Sequence, residues 1–88
     1  MSWDYRFSRE ADKQFRRLPR DRQEQIVAVL ENTRENPFAG DVLPIKSGRS
    51  EGAFRRRIGR YRLIFESNPT EHIIRILSVG PRSEKTYR

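Results

Sequence analysis

Apolar and polar residues alternate at the start of the chain and then change to a helical spacing. The alternation over residues 3–7 predicts a short strand with one buried face. Ser8 follows as an N-cap for a first helix, and Pro19 interrupts the helical pattern. The apolar residues of this strand and this helix are Trp3, Tyr5, Phe7, Ala11, Phe15 and Leu18.

A second helical pattern follows Pro19. Asp21 is expected to cap this helix, and Asn36-Pro37 is expected to end it. The outer faces of both helices mix basic with acidic residues, so we interpret them as solvated surfaces of an antiparallel helix pair. The inner stripe of the second helix is Ile26, Val29, Leu30 and Thr33.

The C-terminal half carries three strand patterns, over residues 54–58, 61–67 and about 72–79. Residues 37–53 contain several glycines and prolines and are predicted to form a long loop. The order βααβββ predicts one α+β domain over residues 1–88, with two N-terminal helices on one face of a mainly antiparallel four-stranded sheet. The turns between the last three strands are Gly59-Arg60 and Asn68-Pro69.

The hairpin over residues 54–62 contains five arginines and no acidic residue. A two-residue loop makes Arg57 face Arg62 and puts Arg55 on the same side of the sheet. Three like charges repel one another unless an anion lies among them, so the pattern predicts a phosphate site and hence a nucleic-acid site. Alternation places the remaining hairpin residues Phe54, Arg56, Ile58, Tyr61, Leu63 and Phe65 on the core-facing side.

The charge distribution agrees with this interpretation. The net charge is +7. Residues 37–88 hold eleven basic and five acidic side chains, whereas residues 1–36 hold eight and seven. An excess concentrated in one half indicates a surface directed at a polyanion. Only three of the 19 basic residues are lysine, and arginine is the better partner for phosphate.

Several classes of protein and site are not expected. The chain has no cysteine and one histidine, His72, which we interpret as structural, and its carboxylates do not follow metal-ligand spacing. We therefore predict no metal and no cofactor. No apolar run approaches the roughly 20 residues of a membrane span, and no signal peptide is recognisable, so a cytoplasmic protein is expected.

The chain resembles a RelE-type toxin of the RelE/ParE toxin–antitoxin superfamily over nearly its whole length. The matching segments are Tyr5-Arg6-Phe7 with Ala11, Phe15 and Leu18; Asn36-Pro37 with Gly40-Asp41; Tyr61-Arg62-Leu63-Ile64-Phe65; and Val79-Gly80-Pro81-Arg82 with Tyr87. The resemblance implies a metal-independent endoribonuclease that cuts messenger RNA in the ribosomal A site and is silenced by a cognate antitoxin.

The resemblance also implies roles for individual residues. Arg55 and Arg57 would bind the phosphate and assist proton transfer, and Arg62 would stabilise the scissile phosphate. Arg82 would stabilise the transition state or protonate the leaving group, and Tyr87 would stack on the substrate. Further contacts to messenger RNA or ribosomal RNA are expected from Lys46, Arg49, Arg56, Arg60, Lys85 and Arg88.

The chain departs from the family pattern at two places. Relatives often have lysine at the positions of Arg55 and Arg57, and arginine is effectively never deprotonated in a protein. Pro81 also replaces a residue that is often histidine or lysine. The general base therefore stays open between Tyr87, water, substrate groups and Glu51. Two alternatives to the ribonuclease follow: a ParE-like toxin that inhibits DNA gyrase without catalysis, and an inactive nucleic-acid-binding relative.

Overall fold

The computed structural model describes residues 2–81, which form two helices and one five-stranded sheet. The sheet order is β1-β5-β4-β3-β2; β1 runs parallel to β5, and all other neighbours are antiparallel. The predicted α+β class and the two helices on one face are confirmed. The elements are β1 Asp4–Phe7, α1 Arg9–Arg16, α2 Arg20–Asn32, β2 Val42–Pro44, β3 Phe54–Ile58, β4 Tyr61–Asn68 and β5 Ile73–Pro81.

The fifth strand, β2, is the difference from the predicted four-stranded sheet. It lies inside the predicted loop and pairs with β3, with Val42 opposite Arg56 and Pro44 opposite Phe54. Three residues ending in proline carry no alternation signal, so the sequence pattern missed them. A short strand with a proline is nevertheless well suited to a sheet edge, where its outer side needs no partner.

The core lies between the helices and one face of the sheet. The predicted inner stripe of α2 is confirmed, since Ile26, Leu30 and Thr33 are buried. Cross-strand alternation places the apolar residues of β3, β4 and β5 on the same side, as predicted for the hairpin. The buried apolar residues of the core are Ala11, Ile26, Leu30, Ile58, Leu63, Phe65, Ile74, Ile76 and Val79.

Of the two predicted helix caps, one is present in the structure and the other is not. Ser8 caps α1 as predicted, because its Oγ accepts a hydrogen bond from the Ala11 N–H at 3.1 Å. The predicted cap at Asp21 is wrong: α2 begins at Arg20 after Pro19, without a side-chain cap. The fixed φ of Pro19 favours a helix start directly after it, so α2 begins at Arg20, one residue before Asp21. Neither helix is long and apolar enough to cross a membrane within residues 2–81.

Two local features of the sheet position the predicted site. The hairpin has a two-residue loop, since Ile58 pairs with Tyr61, and Gly59 has the positive φ of +58° that such turns require. In β5 the register shifts by one residue near Leu77, so that Ile64 faces Ser78 whereas Phe65 faces Ile76. This bulge brings the end of β5 opposite the first residues of β4.

Candidate nucleic-acid interface

The sheet face opposite the helices, called the open face here, carries the predicted arginines. Arg57 pairs with Arg62 across the hairpin, and Arg62 pairs with Gly80 of β5. On the other side of Arg57 lies Asp41, whose carbonyl oxygen accepts the Arg57 N–H at 3.1 Å. The four residues therefore form one row across the open face, in the order Asp41, Arg57, Arg62, Gly80.

A second row lies directly beside the first. Arg55 faces Leu43 on β2 and Ile64 on β4, and Ile64 faces Ser78 on β5. Arg55 is thus a diagonal neighbour of Arg62 on the same face. The structure brings Arg55, Arg57 and Arg62 together as the alternation predicted.

The arginine row borders a shallow hollow of about 100 Å³ where β4 begins and β5 ends. Its lining is neutral apart from one guanidinium group and contains a glycine, so the backbone is accessible there. From this end of β5 the chain continues towards position 82. The residues that line the hollow are Arg62, Ile64, Ser78, Gly80 and Pro81.

The Arg57 side chain has an internal partner in this arrangement. Its Nη1 lies 3.7 Å from Oδ2 of Asp41, and the two side chains are 53% and 54% exposed. An ion pair at that distance and exposure contributes little stability, because water screens it and both side chains lose freedom. An external phosphate can therefore compete for Arg57. Sequence reasoning missed Asp41 as a member of the site, although the Gly40-Asp41 segment was part of the family pattern.

Arg56 lies apart from the other arginines of the hairpin. It points to the helix side, where its Nη1 donates a hydrogen bond of 2.6 Å to the carbonyl of Ala39. Its side chain lines a small cavity together with Thr33 and Leu63. Burial lowers the pKa of the Arg56 guanidinium from its usual value, and the nearby Asp41 carboxylate opposes that shift. The expected RNA contact from Arg56 therefore does not fit its position, and its role is structural.

The other predicted contacts are scattered or undescribed. Arg60 is exposed at the hairpin turn, and Lys46 and Arg49 are exposed in the loop after β2. Glu51, the carboxylate considered as a base, is exposed in the same loop. The remaining predicted residues lie outside the described range 2–81; they are Arg82, Lys85, Tyr87 and Arg88.

His72 and the carboxylates show no metal chemistry in the described part of the chain. The His72 ring packs edge-on against Trp3 with 4.9 Å between ring centroids, which agrees with a structural role. Residues 2–81 contain no group of three His, Cys, Asp or Glu side chains that could hold a metal ion. Around Arg57 and Arg62, the open face carries guanidinium groups and the carboxylate of Asp41.

Solved structures of RelE toxins have the same fold. The chain matches a toxin in the RelBE2 complex from Mycobacterium tuberculosis with a TM-score of 0.82 and 23% identity, covering 93% of this chain and 100% of that one. It matches one in the RelE–RelB complex from Pyrococcus horikoshii OT3 with a TM-score of 0.80 and 22% identity, covering 96% and 99%. It matches the isolated E. coli RelE toxin with a TM-score of 0.75 and 21% identity, covering 97% of this chain and 92% of that one.

The sequence of the chain also matches a protein family. Residues 5–86 match the family described as the ParE toxin of the type II toxin–antitoxin system parDE. The chain belongs to this family and is a toxin of the RelE/ParE superfamily. No curated protein sequence matches it significantly.

Proposed function

We propose that the chain is a metal-independent endoribonuclease that cleaves messenger RNA in the ribosomal A site and thereby inhibits translation. The observation that carries this proposal is the placement of Arg55, Arg57 and Arg62 on adjacent positions of the open face. Binding of a protein surface alone would not require three arginines at adjacent positions of one sheet face. A backbone phosphate would neutralise their mutual repulsion and accept hydrogen bonds from more than one of them.

The proposed reaction uses the 2′-hydroxyl of the RNA as the nucleophile. During its attack on phosphorus, negative charge increases on the non-bridging oxygens of the phosphate. The backbones of Arg57 and Arg62 are held by paired strands, so their positive charges lie on the open face before the reaction begins. Fixed positive charge of this kind stabilises the transition state more than the ground state.

Roles for the residues after β5 come from the family resemblance. Arg82 follows β5 directly, one residue after Pro81, and Gly80 faces Arg62. We propose that Arg82 adds a further positive charge and that Tyr87 stacks on a base. The exposed Arg60, Lys46 and Arg49 would contribute general attraction to ribosomal RNA, which weakens as salt increases.

A cognate antitoxin is the proposed protein partner. Two of the matched solved structures are named as complexes of a toxin with its antitoxin, RelBE2 and RelE–RelB. An antitoxin segment with acidic residues would complement the open face of this chain. It would compete with RNA for the same guanidinium groups.

A ParE-like inhibitor of DNA gyrase is the second candidate function. The family match is the observation that favours it, since the matched family is named for the ParE toxin. In that case the basic face would bind a protein–DNA complex and no RNA would be cut.

Cleavage of programmed ribosomes tests the two functions against each other. The purified chain is added to ribosomes that carry a defined messenger RNA, to the same RNA alone, and to gyrase with supercoiled DNA. We expect cuts in phase with codons on the ribosome, and weaker cleavage of free RNA that persists in EDTA. Gyrase-dependent DNA breaks with intact RNA would instead establish the second candidate.

A further inference from the structure

The proposed ribonuclease needs a group that accepts the proton of the 2′-hydroxyl. Arg55, Arg57 and Arg62 do not meet this need, because guanidinium groups are not deprotonated in proteins. Glu51 makes no ion pair with a described residue, and Glu66 is 3.6 Å from Arg75, further along the open face. Asp41, by contrast, ends the row that contains Arg57 and Arg62.

The position of Asp41 is fixed by the backbone on both sides. Its carbonyl oxygen accepts the Arg57 N–H at 3.1 Å, which extends the β2–β3 ladder by one residue. The residues on either side of Asp41 are also bonded, because the Val42 N–H donates to the Gly40 carbonyl, and the Ala39 carbonyl accepts a hydrogen bond from the half-buried Arg56 guanidinium. These bonds fix the backbone of Asp41, so its side chain starts from a defined position beside Arg57 when a substrate binds.

From this geometry we propose that Asp41 is the general base of the ribonuclease. The inference rests on the proposed function, and it adds a residue that the family resemblance did not assign. A phosphate bound by Arg57 lies near the Asp41 carboxylate, whose Oδ2 is 3.7 Å from Nη1 of Arg57. The proposal requires the ribose on the 5′ side of that phosphate to lie on the Asp41 side of Arg57, with its 2′-hydroxyl towards the carboxylate.

The step balances without a metal or cofactor. Asp41 takes the proton from the 2′-hydroxyl, the 2′-oxygen forms a bond to phosphorus, and the bond from phosphorus to the 5′-oxygen breaks. The departing 5′-oxygen takes a proton from solvent water, and Asp41 returns its proton to solvent. The products are a 2′,3′-cyclic phosphate and a 5′-hydroxyl end. Among the described residues, the charged groups near Asp41 are the Arg57 guanidinium, 3.7 Å away on the same face, and the Arg56 guanidinium, which lies on the opposite face of β3.

The variant Asp41→Asn tests the proposal, because it keeps the shape and removes the ability to accept a proton. Single-turnover cleavage on programmed ribosomes is expected to fall by about 10²- to 10⁴-fold, the usual contribution of a general base. Asp41→Glu should retain part of the rate. A decrease of the rate towards acidic pH in the wild type should be absent from Asp41→Asn. Glu66→Gln, a carboxylate change elsewhere on the open face, should cleave like the wild type.

Measurements of RNA binding distinguish a general base at Asp41 from a carboxylate that only neutralises Arg57. Affinity is measured on a ribosome complex whose messenger RNA lacks the 2′-hydroxyl at the cleavage site, so that no cut occurs. Removing a carboxylate beside Arg57 should leave RNA binding equal or tighter while cleavage is lost. Cleavage by Asp41→Asn at the wild-type rate or faster would overturn the proposal, since Asp41 would then only compete with the phosphate. Absence of cleavage by the wild type would overturn the proposed function itself.

Discussion

The two faces of the β3–β4 hairpin use the same residue type for opposite purposes. Arg56 and Arg57 are neighbours in the chain, but alternation directs one to the helices and the other to the open face. The Arg56 guanidinium is half-buried and hydrogen-bonded to the loop before β2, whereas the Arg57 side chain is 53% exposed beside a single carboxylate. The first contributes to the fold, and the second remains available to an external anion.

The contrast shows why a count of arginines does not define a binding surface. Five arginines occur within residues 54–62, yet only Arg55, Arg57 and Arg62 occupy adjacent positions on the open face. Burial of Arg56 lowers its pKa, which marks a charge that the protein accommodates at a desolvation cost. Charges that serve a polyanion should instead show exposure and weak internal pairing, as Arg57 does.

Of the changes to Arg56 and Arg57, the largest effect is expected on RNA cleavage when Arg57, which lies on the open face, is removed. Arg57→Ala should reduce cleavage of programmed ribosomes by about 10²- to 10³-fold, because one fixed donor to the developing phosphate charge is lost. Its free energy of unfolding should change by no more than about 0.5 kcal/mol, since the exposed ion pair with Asp41 contributes little. Single-turnover cleavage and urea denaturation measure the two quantities.

Arg75→Ala is the matched control for that prediction. Arg75 is also an arginine on the open face, 59% exposed and 3.6 Å from Glu66, but it lies at the other end of β4 and β5. It should leave cleavage nearly unchanged. An equal loss of cleavage in both variants would mean that overall charge matters and the Arg57–Arg62 pair does not.

Removal of Arg56, which points to the helices, is expected to have a smaller effect, and on stability alone. Arg56→Ala should lower the free energy of unfolding by about 1–3 kcal/mol, since it removes the bond to Ala39 and the side-chain packing against Leu63. Urea midpoints of Arg56→Ala and Arg57→Ala, compared at equal m-values, check this. If the two variants were equally stable, the structural assignment of Arg56 would be wrong.

The sequence predicted the parts of the fold that depend on repeated patterns. Alternation placed Arg55, Arg57 and Arg62 on one face and Phe54, Ile58 and Leu63 on the other, because a two-residue turn leaves one register only. Helical spacing identified the buried stripe of α2 in the same way. These features follow from many residues that agree, so single irregularities do not upset them.

The features that were missed depend on contacts distant in sequence. Strand β2 exists because three residues meet β3, and Asp41 joins the site because its carbonyl bonds to Arg57, sixteen positions later. Neither contact leaves a repeating pattern of apolar and polar residues in the sequence. The inward orientation of Arg56 followed from alternation, but its partner, the Ala39 carbonyl, did not. For Arg82 and Tyr87 the family resemblance remains the basis of their proposed roles.

The smallest effect concerns the loop that Arg56 holds. Gly40 and Gly48 both have positive φ, +87° and +91°, but only at Gly40 would a Cβ lie within 3 Å of the Arg56 guanidinium; at Gly48 nothing lies within 4 Å. Both changes to alanine should cost about 1–2 kcal/mol through the left-handed backbone. Gly40→Ala should cost about 1 kcal/mol more, because Arg56 must shift and weaken its hydrogen bond.

A double-mutant cycle isolates that extra cost. In the Arg56→Ala background the guanidinium is absent, so Gly40→Ala and Gly48→Ala should become equally destabilising, each measured by urea denaturation. Gly48→Ala is the control for backbone strain, because it shares the positive φ without the contact. An excess cost at Gly40 that persists without Arg56 would show that the loop before Asp41 is held by something other than the inward arginine. The site on the open face would then not depend on the opposite face of the hairpin.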